Sequence, residues 1–306
     1  MMFKVLIFLA CLAVFTSASP AIVRQFKKIV NSDVCLKQCM ERLQENDVEL
    51  SLTKRTNISD HLLNLDTVCE MIGAARTCLE NCQAKSNPFA LRSVNALCDS
   101  QTKKIVNELQ PCLMNNGKQI NDQCIEECGD YETFHEQANA LSARLASDPN
   151  HDQEAHNTLA RMSNDACRMF KCSQRCTVLK TSATCPRLAD GNDAGGAIRY
   201  LIDLTLHTHR ADLDSMRLTN VLAAQVEPEC NYLYAPEVMW DVQRDHLMVL
   251  SLHAQLKRIN ADILAGRKPT FTTPPPHIDE QFVAEAEKVE KELHEILHTF
   301  EHPKHI

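Results

Sequence analysis

The chain has 306 residues, 44% hydrophobic and 24% charged, which is ordinary for a soluble globular protein of one large domain or two smaller ones. Seven glycines and 5% aromatics are few for hairpin-rich β architecture, so the composition leans toward helix. A formal charge of −8 argues against nucleic acid as a partner, because phosphate backbones are held by Lys and Arg; the basic clusters (Arg24, Lys27 and Lys28; Lys103 and Lys104) are short and read as solvated helix faces.

Lys4 precedes an apolar run from Val5 to Phe15, followed by Thr16, Ser17 and Ala18. That pattern predicts a signal peptide over 1–18, with an apolar core too short to span a bilayer and cleavage after Ala18. No second apolar run reaches spanning length, so the expectation is a secreted, extracellular protein with no membrane span.

Of fifteen cysteines, Cys11 lies in the signal core. Fourteen remain, an even number suited to an oxidising compartment: Cys35, Cys39, Cys69, Cys78, Cys82, Cys98, Cys112, Cys124 and Cys128 in one block, then Cys167, Cys172, Cys176, Cys185 and Cys230 in a second. Nine and five are both odd, so full pairing needs at least one bridge between the blocks. Four pairs have C-x3-C spacing (35/39, 78/82, 124/128 and 172/176), which places two sulfurs on one helix face. That geometry suits helices stapled side by side better than the tight knuckles of structural zinc. The pairing itself stays open.

Taken in order, residues 21–47 predict an amphipathic helix through the first C-x3-C. A polar loop over 48–58 carries Asn57-Ile58-Ser59, the only N-glycosylation sequon, so Asn57 is a candidate glycosylation site. Ser59 or Asp60 caps a helix through about Gln83, with Leu62, Leu65, Val68, Ile72, Ala75 and Leu79 inward. A third helix starts at Pro88 and is interrupted at Pro111; a short helix then carries Cys124 and Cys128 to a stop at Gly129. Helices are expected over 130–147 and 152–179, a loop over 185–196, and two shorter helices near 196–208 and 212–225. A helix from Pro236 to Leu264, a polyproline-like linker over 268–277 and a last helix over 278–300 complete the chain. The fold class is all-α, a disulfide-stapled helical bundle with a C-terminal helical arm. The domains are 19–233, Cys-rich, in which a core at 33–130 is coupled to the block at 167–230, and a Cys-free tail at 234–306.

His294-Glu295-Ile296-Leu297-His298 matches the H-E-x-x-H zinc-protease pattern, in which two histidines bind zinc and the glutamate is general base. Against it, His302 is at the wrong spacing for a third ligand. The histidines also lie off the apolar stripe of Phe282, Ala286, Val289, Leu293, Ile296 and Phe300, where a walled cleft would form. His294, His298 and His302 are weak metal candidates at most. Asp190-Gly191-Asn192-Asp193 lacks the alternating oxygens of a calcium loop, and His207 and His209, two apart, point away from each other on a helix. No catalytic residue, metal or cofactor is assigned.

The cysteine ladder resembles the nematode chondroitin proteoglycan 4 domain family. The matching residues are Asp33-Val-Cys-Leu-Lys-Gln-Cys, Cys69-x8-Cys78-x3-Cys82, Cys98-x13-Cys112 and Cys124-x3-Cys128, with Lys171-Cys-Ser-Gln-Arg-Cys, Cys185-Pro186 and Pro228-Glu-Cys-Asn-Tyr-Leu following. The resemblance covers roughly residues 33–233 and implies a secreted, Cys-rich helical module of extracellular-matrix or egg-coat type, with no catalytic residues to carry over. A chondroitin chain is attached at Ser-Gly, and no glycine here follows a serine. The expectation is therefore a non-enzymatic structural or interaction protein without its own glycosaminoglycan, whose partner is an extracellular protein or glycan. An extracellular carrier of a small apolar ligand is the alternative, and a zinc peptidase the remote one.

Overall fold

The structure, a computed structural model, describes residues 34–44, 57–83, 87–147, 153–223 and 226–268. Among these residues there is no strand; ten α-helices and three 3-10 turns account for most of the backbone. No helix among them is long and apolar enough to cross a membrane. The chain forms two compact units, one ending at Leu218 and the other starting at Thr219. The signal-peptide residues, most of the linker and the 278–300 segment lie outside the described residues.

In the first unit, α1 (Val34–Gln44) packs on α3 (Leu65–Asn81) through Leu36, Val68, Ile72, Ala75 and Leu79, closed at one end by Phe89 of the Pro88–Ala90 turn. The helix expected from 59 to 83 is divided: α2 (Ile58–Leu63) ends at Asn64, whose side-chain Nδ2 donates to the Asp60 carbonyl at 2.8 Å. A short polar side chain that takes a backbone acceptor competes with helix continuation. After the single turn α4 (Arg92–Asn95), Asp99 caps α5 (Ser100–Cys128) by accepting from Gln101 N and Thr102 N; the Thr102 hydroxyl, with those amides, holds the Asp99 carboxyl below the usual carboxylate range.

Helix α5 corrects the expected break at Pro111. It runs unbroken for 29 residues to Gly129, whose φ of +93° ends it. Proline removes one backbone donor, a cost of about 3 kcal/mol in a helix interior. Burial of Leu109 and Leu113 on either side, and a disulfide at Cys112, outweigh that local penalty. Asp130 then starts α6 (Tyr131–Ser147), accepting from Thr133 N and Thr133 Oγ1.

The central element is α7 (Gln153–Thr184), which extends past the expected end at 179 and packs against α5, α6 and α8. Helix α8 (Ala194–Ser215) is one continuous element, not two short helices meeting between 208 and 212. No glycine or proline interrupts that stretch, and burial of Thr205, Leu206, His209, Asp212 and Leu213 keeps it helical across the supposed gap. Asp212 also accepts from Ser93 N at 2.9 Å, Ser93 Oγ at 2.8 Å and Arg92 N at 3.4 Å, so a carboxylate from α8 caps α4.

Disulfides fasten these contacts. Cys35–Cys82 and Cys39–Cys78 cross-link α1 to α3, with Cα–Cα distances of 6.0 and 5.9 Å. Cys124–Cys176 and Cys128–Cys172 repeat the device between α5 and α7, at 5.7 and 5.6 Å. In both, the first cysteine of one C-x3-C joins the second of the other, as antiparallel helices require. Cys69–Cys98 and Cys112–Cys185 complete the bridges within this unit. Three of the six therefore join the block at 35–128 to the later one, as parity demanded. Two glycines allow close helix crossings: a Cβ on Gly117 of α5 would lie 2.6 Å from Ser59 Cβ of α2, and one on Gly195 of α8 would collide with Ser182 and the Val178 carbonyl of α7.

In the second unit, α9 (Thr219–Ala223) precedes turns at Pro228–Leu233 and Pro236–Met239, and Asp241 caps α10 (Val242–Leu264). The helix expected from Pro236 thus begins at Val242. Its buried face is Asp245, Met248, Val249, Ser251, Leu252 and Ala254, with Asp245 accepting from the buried Asn231 Nδ2 at 2.9 Å.

Candidate functional site

All fourteen cysteines from Cys35 to Cys230 are disulfide-bonded. The sulfurs of Cys35, Cys39 and Cys82 lie within 4.8 Å of one another, a spacing that suggests a metal cluster. They belong to the two bridges between α1 and α3, and a sulfur in a disulfide has no thiolate to offer a metal or a substrate. The cluster is a staple.

Asn57 is the N-cap of α2. Its Oδ1 accepts from Asp60 N at 3.2 Å, and its Nδ2 donates to Asp60 Oδ2 at 2.6 Å. The Asn57 side chain is half-buried, while Ser59, the hydroxyl residue of the sequon, is buried where α2 crosses Gly117. An enzyme that must reach both the amide and the hydroxyl has to act before α2 packs on α5. His207 is exposed and His209 buried, in keeping with side chains that point apart on one helix. His294, His298 and His302 lie outside the described residues.

One concave surface among the described residues of the first unit is a groove of about 820 Å³ between α5, the 185–193 loop and α8. From α5 it is lined by Gln101, Lys104, Ile105 and Glu108, from the loop by Leu188, Ala189, Asp190, Asn192 and Asp193, and from α8 by Gly196, Ala197 and Tyr200. The loop is tightly built. Cys185 is fastened to Cys112, and Leu188 N donates to the Asn192 carbonyl at 2.9 Å. Gly191 takes φ +83°, and the Arg187 guanidinium donates to its carbonyl at 2.8 Å.

The three carboxylates of the groove are occupied in holding it. Glu108 Oε2 accepts from Ala189 N at 3.1 Å, which docks the loop on α5. Asp190 accepts from Asn192 N and Nδ2 at 2.9 and 2.7 Å, so its oxygens close a turn instead of forming a calcium loop. Asp193 caps α8, accepting from Ser182 Oγ at 2.6 Å and Gly196 N at 2.7 Å, and these bonds hold its carboxyl below the usual range. What the groove presents outward is the Tyr200 ring, 44% exposed, with the exposed Lys104 ammonium and Gln101 amide. Its lining contains no serine, cysteine or histidine. The surface is suited to binding by an aromatic face, a cation and amides.

The sequence marked 185–196 as a loop but not its shared surface with Lys104 and Tyr200, because the groove is assembled from segments about ninety residues apart. Only the Cys112–Cys185 link could have pointed to it, and pairing is not legible from spacing. No family model, curated protein or solved structure matches this chain.

Proposed function

We propose that the chain is a secreted, non-enzymatic structural or interaction protein of extracellular-matrix or egg-coat type, without its own glycosaminoglycan chain, that binds an extracellular protein or glycan. The cysteine phrasing, similar to that of nematode chondroitin proteoglycan 4 domains, supports this reading. So does the even set of fourteen cysteines held in disulfides, which leaves no thiol for catalysis. The observation that carries it is the groove: a loop held between the Cys112–Cys185 disulfide and the Asp193 cap sets Tyr200 and Lys104 on rigid ground. Pre-organised groups of this kind lose little conformational freedom on binding.

The test is capture from native extracellular fluid by the immobilised full-length protein, beside a Tyr200→Ala, Lys104→Glu double variant. A partner retained by the first and lost by the second, with unchanged far-UV circular dichroism, supports the reading. Equal capture by both removes the groove from the function.

A further inference from the structure

A disulfide sulfur carries no nucleophile, but it is itself an electrophile: a thiolate that reaches it displaces its partner and takes that partner's place. Which bridge reacts is set in large part by access to its sulfurs. Of the fourteen disulfide-bonded cysteines, all within the described residues, only Cys82 is exposed. It caps α3 just after Asn81, and its neighbours Asn81 and Gln83 are exposed as well. Its partner Cys35 is half-buried, and Cys39 beside it is buried. The equivalent pair of staples between α5 and α7 differs: Cys124 and Cys176 are buried, and Cys128 and Cys172 are half-buried.

The exposed bridge is also one whose opening costs the fold little. Cys39–Cys78 already ties α1 to α3, and Cys35–Cys82 adds only the closure of the short stretches 35–39 and 78–82. The entropy a cross-link removes grows with the loop it newly closes, so the outer of two nested bridges contributes little. Leu36, Val68, Ile72, Ala75 and Leu79 hold the two helices together besides. With α1 kept in place, Cys35 stays beside its partner. The sulfurs of Cys35, Cys39 and Cys82 lie within 4.8 Å of one another, and Cys39 Sγ is 4.0 Å from Cys82 Sγ.

We propose that the Cys35–Cys82 bridge is a thiol-exchange site, at which a thiol of a small molecule or of another protein becomes covalently joined to Cys82. The incoming thiol, deprotonated, attacks Cys82 Sγ. A new S–S bond forms there, the Cys35–Cys82 bond breaks, and the electron pair leaves on Cys35 Sγ; the proton the incoming thiol gave to solvent returns on Cys35. One disulfide is exchanged for another, so no outside oxidant or reductant is consumed. Attack by Cys35 on the mixed disulfide runs the step backward and frees the thiol. The site attaches its partner reversibly while Cys39–Cys78 keeps α1 on α3.

The test treats the full-length, disulfide-intact protein with reduced glutathione at about pH 8, where thiolates form, traps free thiols with N-ethylmaleimide and maps the unreduced peptides by mass spectrometry. Glutathione should appear on Cys82 and maleimide on Cys35, at least about tenfold faster than any other bridge opens, with Cys39–Cys78 intact and the far-UV circular dichroism unchanged. A second arm uses a protein thiol, thioredoxin with its resolving cysteine changed to serine. Reaction with one reagent alone names the source the site accepts, and reaction with both admits either. A Cys35→Ser variant loaded at Cys82 with oxidised glutathione should keep the adduct after the excess is removed, whereas wild type expels it; the wild-type map stands on its own if that variant does not fold. The proposal is overturned if neither reagent reacts at Cys82, if the adduct forms on Cys35, if another bridge opens within tenfold of this one, or if opening it alone unfolds the helices.

Discussion

Replacing His209 by glutamine should flatten the acid dependence of stability in this protein. His209 sits on α8 at 2% exposure, and burial, opposed only in part by the charge of Asp212 one turn on, pushes its pKa down to about 4 from the usual 6.5. The neutral imidazole is the form the fold accepts. The unfolded chain therefore binds a proton that the folded one refuses, and stability falls as pH drops from about 6.5 toward 4. A shift of about 2.5 units corresponds to roughly 3 kcal/mol in the acid limit, and about 2 kcal/mol of it is lost by pH 5. The carboxyls of Asp99 and Asp193, held below the ordinary range, lose their contribution only below about pH 4, so the window from pH 7.5 to 5 leaves them ionised. The assay is urea unfolding, disulfides intact, followed by far-UV circular dichroism at the two pH values. Wild type should lose about 2 kcal/mol more than His209→Gln on acidification. Equal losses in the two proteins would refute the assignment of the acid sensitivity to His209.

Three further substitutions test the packing. Gly195→Ala drives a methyl into the Val178 carbonyl and Ser182 and should lower stability by about 2 kcal/mol, whereas at Gly196 an alanine Cβ meets nothing closer than Asp193 at 3.6 Å and leaves it near wild type; thermal melts of the pair distinguish them. Pro111→Ala returns a backbone donor to an unbroken helix and should raise the urea midpoint, with a gain of about 1–2 kcal/mol after the lost rigidity of the unfolded proline is offset; a lower midpoint would show that the proline is needed there. Asp212→Asn removes the charge that caps α4 and should cost about 1–2 kcal/mol, with faster hydrogen exchange at the Ser93 amide as its local signature.

The helices were legible where local chemistry governs them. Gly129 after α5 is a strong stop, and it holds; the start expected at Pro88 does not, because a 3-10 turn and α4 come first and α5 begins only after the Asp99 cap. The inward face of α3 was readable as well, because Val68, Ile72, Ala75 and Leu79 recur at helical spacing. At Pro111 and across 208–212 the expected boundaries failed. There the local preference is a few kcal/mol at most, and burial of neighbours on both sides exceeds it. The groove was illegible for a different reason: Lys104, Asp190 and Tyr200 acquire a common surface only when α5, the loop and α8 are assembled.

By itself the sequence determined that the fold is all-α, that C-x3-C pairs face a neighbouring helix, and that the two cysteine blocks must be joined. Spacing and parity follow from covalent chemistry and the helical repeat, which no tertiary contact can alter. Which cysteines pair, where Gly117 and Gly195 let helices touch, and which carboxylate caps α4 were decided only by the tertiary structure. Those choices rest on the approach of segments distant in the chain, whose geometry depends on how the whole core fills its volume.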